Sequence, residues 1–338
     1  MLIKQKILFL TFLITLIAGT LQAGEKNFFK KIEWHSYAHL RFSTNFDDNY
    51  NFSLRRLKFW VNSSPDLSEH WSFKVQAIIM SIQNQKFFLQ DVMVQYRWKN
   101  QSIRFGQFIP RFSLQRFQPD FKIPSMERAK CVNMLIPDGT ILGARDIGAQ
   151  YNLKAMDDRL MFNIGMFNGY GIRNYRINNN GIMLTQNLSF TQEISNSSLQ
   201  VGFSTMYRKA ENLFLPGILP SDTVKYSGNE FHFVVYSLLE MKWFNLQTEY
   251  TNAFFKNHSA YGYYVLLTAK INKKNQAYFF YDEYDNGYTS HIDGRWYYVG
   301  YNYKFKGYKM MLSMETGFSR SDSKWHNLTR LQFQIFFH

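Results

Sequence analysis

Basic side chains carry the chemistry this sequence suggests, because their spacing gathers them. Arg56, Lys58, Lys74, Arg97 and Arg104 fall on the polar register of segments that otherwise alternate with apolar residues, so each projects to the same side of its strand. Arg111, Arg116, Lys122, Arg128 and Lys130 share one connection of roughly 35 residues, between 103–108 and 145–151, where compact domains use about 4 to 6. Rings of lysine and arginine replace part of an anion's hydration and raise its local concentration. A guanidinium also meets an oxyanion through two parallel hydrogen bonds. These residues are thus expected to line a pore and bind small anions such as phosphate. Asp120, Glu127 and Asp138 lie in the same connection, and Glu33, Asp91, Glu240 and Glu249 on the strand register, so part of the basic set is expected to be paired.

Catalysis has less support. His35 and Ser36 point to opposite faces of one strand, and His35 and His39 on one face stand about 13 Å apart, too far to share a metal. Cys131, the single cysteine, excludes an internal disulfide framework and has no neighbouring metal ligands. No enzyme activity, cofactor or metal is expected.

The elements that position the basic residues follow a period of two. Ile32, Trp34, Ala38, Leu40 and Phe42 alternate with Glu33, His35, Tyr37, His39 and Arg41. Leu57, Phe59 and Val61 alternate with Arg56, Lys58 and Trp60, and the pattern recurs to the end of the chain. It predicts about 16 strands of roughly 9 to 12 residues, the length that crosses a bilayer at a tilt. Tight turns near 63–66, 99–101, 155–158, 272–275 and 306–307 separate them from longer connections at 45–51, 109–144, 168–181, 209–228 and 284–294. Short turns at one end and long loops at the other indicate an all-β protein, a transmembrane antiparallel β-barrel. The terminal alternation of Leu331, Phe333, Ile335 and Phe337 puts a strand where it can close against the first, since lipid tolerates no open sheet edge. Trp34, Trp60, Trp71, Trp98 and Trp243 fall near strand ends, as interface girdles do. The long connection over about 109–144 is too apolar, with Phe112, Leu114, Phe117, Phe121 and Ile123, to lie in water, and is expected to fold into the barrel.

Bulk properties set the compartment. Lys4 and Lys6, an apolar run over 7–17 and a small-residue site ending at Ala23 make residues 1–23 a secretory signal peptide, leaving 24–338 as the barrel. The formal charge of +14 falls to +12 without the signal. Export makes nucleic acid an improper partner for that charge, and small anions and outer-membrane lipid the expected ones.

Five stretches in order carry a family resemblance: Phe52-Ser53-Leu54-Arg55-Arg56, Gln90-Asp91-Val92-Met93-Val94, Arg104-Phe105-Gly106-Gln107-Phe108, Arg145-Asp146-Ile147-Gly148 and Met166-Phe167-Asn168-Gly169. Over about 50–185 the chain resembles the phosphate-selective porin O and P family. The resemblance implies a homotrimeric channel of 16 strands in the outer membrane of a Gram-negative bacterium, with the inward loop over about 109–144 as its pore constriction and a cationic path for phosphate or other anions. Two other readings stand beside it: a plugged or structural, partner-binding barrel, with 209–228 and its Pro216 and Pro220 over the mouth, and an outer-membrane enzyme.

Overall fold

The computed structural model describes residues 32–63, 68–81, 85–136, 144–172, 182–215, 218–219, 225–287, 294–321 and 324–337. The expected signal peptide, Asp138, Pro216 and Pro220 lie outside the described residues. The first half of the sheet is β1 (Ile32–Thr44), β2 (Tyr50–Ser63), β3 (Trp71–Ser81), β4 (Gln85–Trp98), β5 (Gln101–Phe108), β6 (Asp146–Ala155), β7 (Leu160–Phe167) and β8 (Met183–Ile194). The second half is β9 (Ser197–Leu213), β10 (Tyr226–Glu240), β11 (Phe244–Phe254), β12 (Ser259–Lys270), β13 (Asn275–Asp285), β14 (Gly294–Lys304), β15 (Met310–Ser321) and β16 (Lys324–Phe337). Each strand pairs antiparallel with its sequence neighbours, and β16 returns to β1, with Ala38 opposite Ile335 and Leu40 opposite Phe333. This closure leaves the sheet no free edge.

Burial is inverted relative to a soluble protein. Leu40, Phe59, Val94, Leu188, Phe203 and Val299 stand exposed on the outer wall, while Gln76, Gln95, Asn187, Ser204, Thr268 and Gln334 are buried inside. An apolar exterior of this extent is a lipid face. Hydrogen-bonded alternation then explains the sequence period, because neighbouring residues serve different solvents.

The strands differ from expectation mainly at their ends. They run from 8 to 17 residues, and several extend past the predicted limits at the long-loop end: β9 continues to Leu213 and β10 starts at Tyr226, shortening the expected 209–228 loop. At the other end Met241 and Phe305 belong to turns rather than strands. Trp34, Trp71 and Trp243 do sit exposed near the short-turn end, and Trp71, Tyr96, Trp98 and Tyr151 form a chain of ring contacts there. Trp60 departs from the girdle. It occupies the inward row of β2, because Phe59 and Val61 take the outward positions.

Two bulges break the period where charges gather. His39 pairs with Arg56 and Leu40 with Leu54, so Arg55 is an extra residue in β2. Gln90 is likewise extra in β4, between Asp91 opposite Gln76 and Leu89 opposite Ala77.

Candidate functional site

The connection after β5 turns into the barrel and, among the described residues, contains two short helices that periodicity did not reveal. Ser113 begins α1 (Leu114–Phe117), its hydroxyl oxygen accepting from the Arg116 N–H at 3.2 Å. The second helix, α2 (Lys130–Leu135), buries Cys131, Val132 and Leu135 completely. It lies on β12 at Gly262, where any Cβ would stand 2.4 Å from that of Cys131, so glycine is what permits the approach. Burial is the chief reason the Cys131 thiol is pushed well above its ordinary range.

Carboxylates on alternate wall strands hold the loop's main chain. The Gln115 N–H donates to Glu249 of β11 at 3.1 Å, the Met126 N–H to Glu315 of β15 at 3.2 Å, and the Lys130 N–H to Asp282 of β13. Asn302 of β14 donates to the Pro124 carbonyl at 3.0 Å and Gln334 of β16 to that of Phe121 at 3.3 Å. The His232 ring of β10 reaches the Leu135 carbonyl at 2.9 Å. Backbone groups buried without partners would each cost about 1–3 kcal/mol, so this series of acceptors and donors fixes where the loop runs. It follows the wall from β10 to β16 and leaves a space of 520 Å³ against β2, β3 and β4.

Charge is concentrated around that space. On the loop side stand Asp120 and Glu127. Asp120 accepts from Arg56 at 2.8 Å and also binds Lys58 and Arg128. Burial alone would push its pKa up, but Arg128, Lys58 and Arg56 together hold the carboxyl well below the usual carboxylate range. Glu127 receives Arg55 through two bonds, at 2.8 and 2.9 Å, and Arg41 as well. Burial opposes its ionisation too, and Arg55 and Arg41 overcome it. Across the space Asp91 joins Lys74 at 2.7 Å and Arg145 at 2.8 Å.

Of the basic residues expected from sequence, Arg56, Lys58, Lys74, Arg116 and Arg128 line this space together. Arg116 is buried and donates to the Asn133 side-chain oxygen at 2.8 Å; burial, then the neighbouring Arg128, lowers its proton affinity well below that of an ordinary arginine. The remainder lie elsewhere. Arg97 is exposed at the short-turn mouth, and Arg104 donates to Gln95 at 3.0 Å. Arg111 stacks on Phe117 at 4.1 Å, Lys130 on Trp296 at 5.4 Å, and Lys122 is exposed. Arg55 and Arg145 also line the space and were not singled out by sequence reasoning. A bulge hides the first from the period-two count, and the second sits one residue ahead of β6.

Glu249 and Asp91 point inward as expected, whereas Glu33 and Glu240 are exposed at strand ends. His35 stacks on Trp60 inside the barrel, its centroid 5.0 Å away, while Ser36 donates to the Phe337 carbonyl at 3.3 Å. The two do not meet. Among the described residues no group of three or more histidine, cysteine or acidic side chains is placed to hold a metal ion.

A closed, even-stranded antiparallel barrel with an apolar exterior, a polar lumen and an inward loop defines an outer-membrane channel of the porin class. The chain belongs to the phosphate-selective porin O and P family, whose sequence profile matches residues 34–215. Solved structures share the fold at low identity. OprB of Pseudomonas putida is 11% identical with a TM-score of 0.71, over 92% of this chain and 96% of that one. An anion-selective porin from Comamonas acidovorans is 9% identical with a TM-score of 0.63, over 90% and 99%. OmpF of Salmonella typhi, in complex with daunomycin, is 10% identical with a TM-score of 0.64, over 90% and 97%. No curated protein matches the sequence.

Proposed function

We propose that this protein is a passive diffusion channel of the outer membrane of a Gram-negative bacterium, that it prefers small anions such as phosphate, and that the loop over 109–144 is its constriction. One observation carries the reading: among the described residues, the space beside the loop is lined by seven lysines and arginines against three carboxylates, a net charge of +4. Such an excess raises anion occupancy, while the carboxylates weaken each contact enough for release. The family's description and the anion-selective porin that shares its fold agree with this preference. A homotrimer fits as well, since a Vibrio cholerae OmpT of the same fold is described in a trimer form. Residues 1–23 serve as the export signal in this reading.

The test is the reversal potential of the purified mature barrel in a planar bilayer across a potassium chloride gradient. Anion preference is expected, together with a current that falls when phosphate is added. A reversal potential at zero would overturn the reading and leave an unselective channel, and the absence of openings would favour a plugged barrel.

A further inference from the structure

The inward row of β2 reads Arg56, Lys58, Trp60, Asn62, so two cations are followed at once by an indole and an amide. Successive members of the row are spaced by about 6.6 Å, twice the strand rise. The loop repeats the sequence of chemistry: Asp120, which gathers Arg56, Lys58 and Arg128, is followed directly by Phe121. Trp60 and Phe121 have ring planes within 10° and centroids 6.2 Å apart, and both are half-buried and line the space. Phe117 lies on the same lining. Beside the indole the register sets Gln76 of β3, and beside Asn62 it sets Lys74.

An inorganic oxyanion would use only the cationic step of this arrangement. Among the described residues, Arg41, Arg55, Arg56, Lys58 and Arg128 pair with Asp120 and Glu127, an excess of three positive charges. The aromatic step would gain nothing from phosphate alone. Aromatic faces in a wet channel favour the C–H face of a saturated ring or the plane of a flat one, and side-chain amides beside them suit hydroxyl groups. Tryptophan on the outer wall would anchor the barrel at the interface, whereas Trp60 lines the channel space, where it also packs against His35, Tyr37 and Phe336.

We infer that the constriction holds a two-part subsite for a monophosphate ester of a sugar-like ring, with the phosphate at Arg56, Lys58 and Arg128 and the ring against Trp60 and Phe121. This rests on the anion-channel reading and narrows it to organic phosphates. Gln76 and Asn62 meet ring hydroxyls.

The experiment titrates the block of chloride current in single channels of the intact barrel with glucose 6-phosphate, inorganic phosphate and glucose. The readout is the ratio of the half-blocking concentrations of phosphate and glucose 6-phosphate. A ratio of about five to ten is expected in the wild type, from the usual size of ring stacking on an aromatic side chain. It should fall to about one in Trp60→Ala, recover in Trp60→Phe, and drop partway in Phe121→Leu, which gives a second readout should Trp60→Ala fail to insert. A ratio near one in the wild type, a ratio unmoved by these substitutions, or block by glucose as strong as by its phosphate would overturn the subsite. Those outcomes leave the reversal potential anion-selective, whereas failure of the anion-channel reading itself shows as no anion preference and no block by either phosphate.

Discussion

The Arg56 guanidinium lies 2.8 Å from the Asp120 carboxylate, joining the β2 wall to the inner loop at a point that Lys58 and Arg128 also reach. Three cations on one carboxylate is an arrangement with a built-in asymmetry. Losing a cation leaves the others partnered, while losing the carboxylate leaves three buried cations facing one another.

Asp120→Asn should therefore raise anion preference and lower stability together, by about 3–5 kcal/mol if the cations cannot rearrange. Reversal potentials and thermal unfolding in detergent report the two effects. The wild-type advantage also has a pH window. The folded carboxyl titrates well below the unfolded one, near 3.9. Its stabilisation is fully present above that value and is lost as the pH falls through the lower, folded one. The gap in unfolding midpoint between wild type and Asp120→Asn should thus hold from pH 7 to about 5 and shrink near pH 3.

Selectivity should sort the basic residues by position rather than by number. Serine at Arg56, Lys58 and Arg128 together should shift the reversal potential toward zero, because all three line the space beside the loop. Serine at Arg97 and Lys122, both exposed and outside that lining, should move it little. Equal shifts from the two sets would mean that overall charge, and not the constriction, sets the preference.

The sequence carried the barrel because lipid and lumen impose different chemistry on alternate residues, and that alternation recurs from strand to strand with interruptions at bulges such as those in β2 and β4. Closure was legible for the same reason, from the alternation at Leu331, Phe333 and Ile335. The inner face of the loop was less so. Its anchors, Glu249 with Gln115 or Glu315 with Met126, are 134 and 189 residues apart, and nothing local in either segment marks the other. Arg55 escaped because one inserted residue shifts the register by one and reverses the face a side chain takes. Trp60 was placed with the girdle by its distance from a strand end, although its parity with Lys58 already assigned it to the lumen.

The loop anchors make a prediction of their own. Replacing Glu249 and Glu315 with leucine removes the acceptors of the Gln115 and Met126 N–H groups, at about 1–3 kcal/mol for each donor left buried. The loop should then move off the β11 to β15 wall into the open space, lowering single-channel conductance and exposing the loop to added protease. Unchanged conductance and protection would show that the remaining anchors and the helix packing suffice to hold it. Glutamine at Glu249 keeps an acceptor and should behave nearly as wild type, whereas glutamine at Glu315 keeps the acceptor but gives up the ion pair with Arg330.

Gly262 offers a separate handle on the same packing. A methyl group there would lie 2.4 Å from the Cys131 Cβ and 2.7 Å from the Glu283 carbonyl oxygen, closer than either can tolerate. Backbone cannot yield in a closed barrel without disturbing its ladder, so α2 must lift, at about 1–3 kcal/mol for an overpacked site. In the wild type Cys131 is fully buried and its thiol is held in the protonated form, so it should resist maleimide at neutral pH in the folded barrel. Gly262→Ala should make it react at a rate that tracks how far the helix has lifted, and Gly262→Val should do so faster. Because Cys131 is the single cysteine, the label reports on this contact alone. Prompt labelling of the wild type would show that the loop already leaves the wall on the timescale of the reaction, and the constriction would then be a moving element.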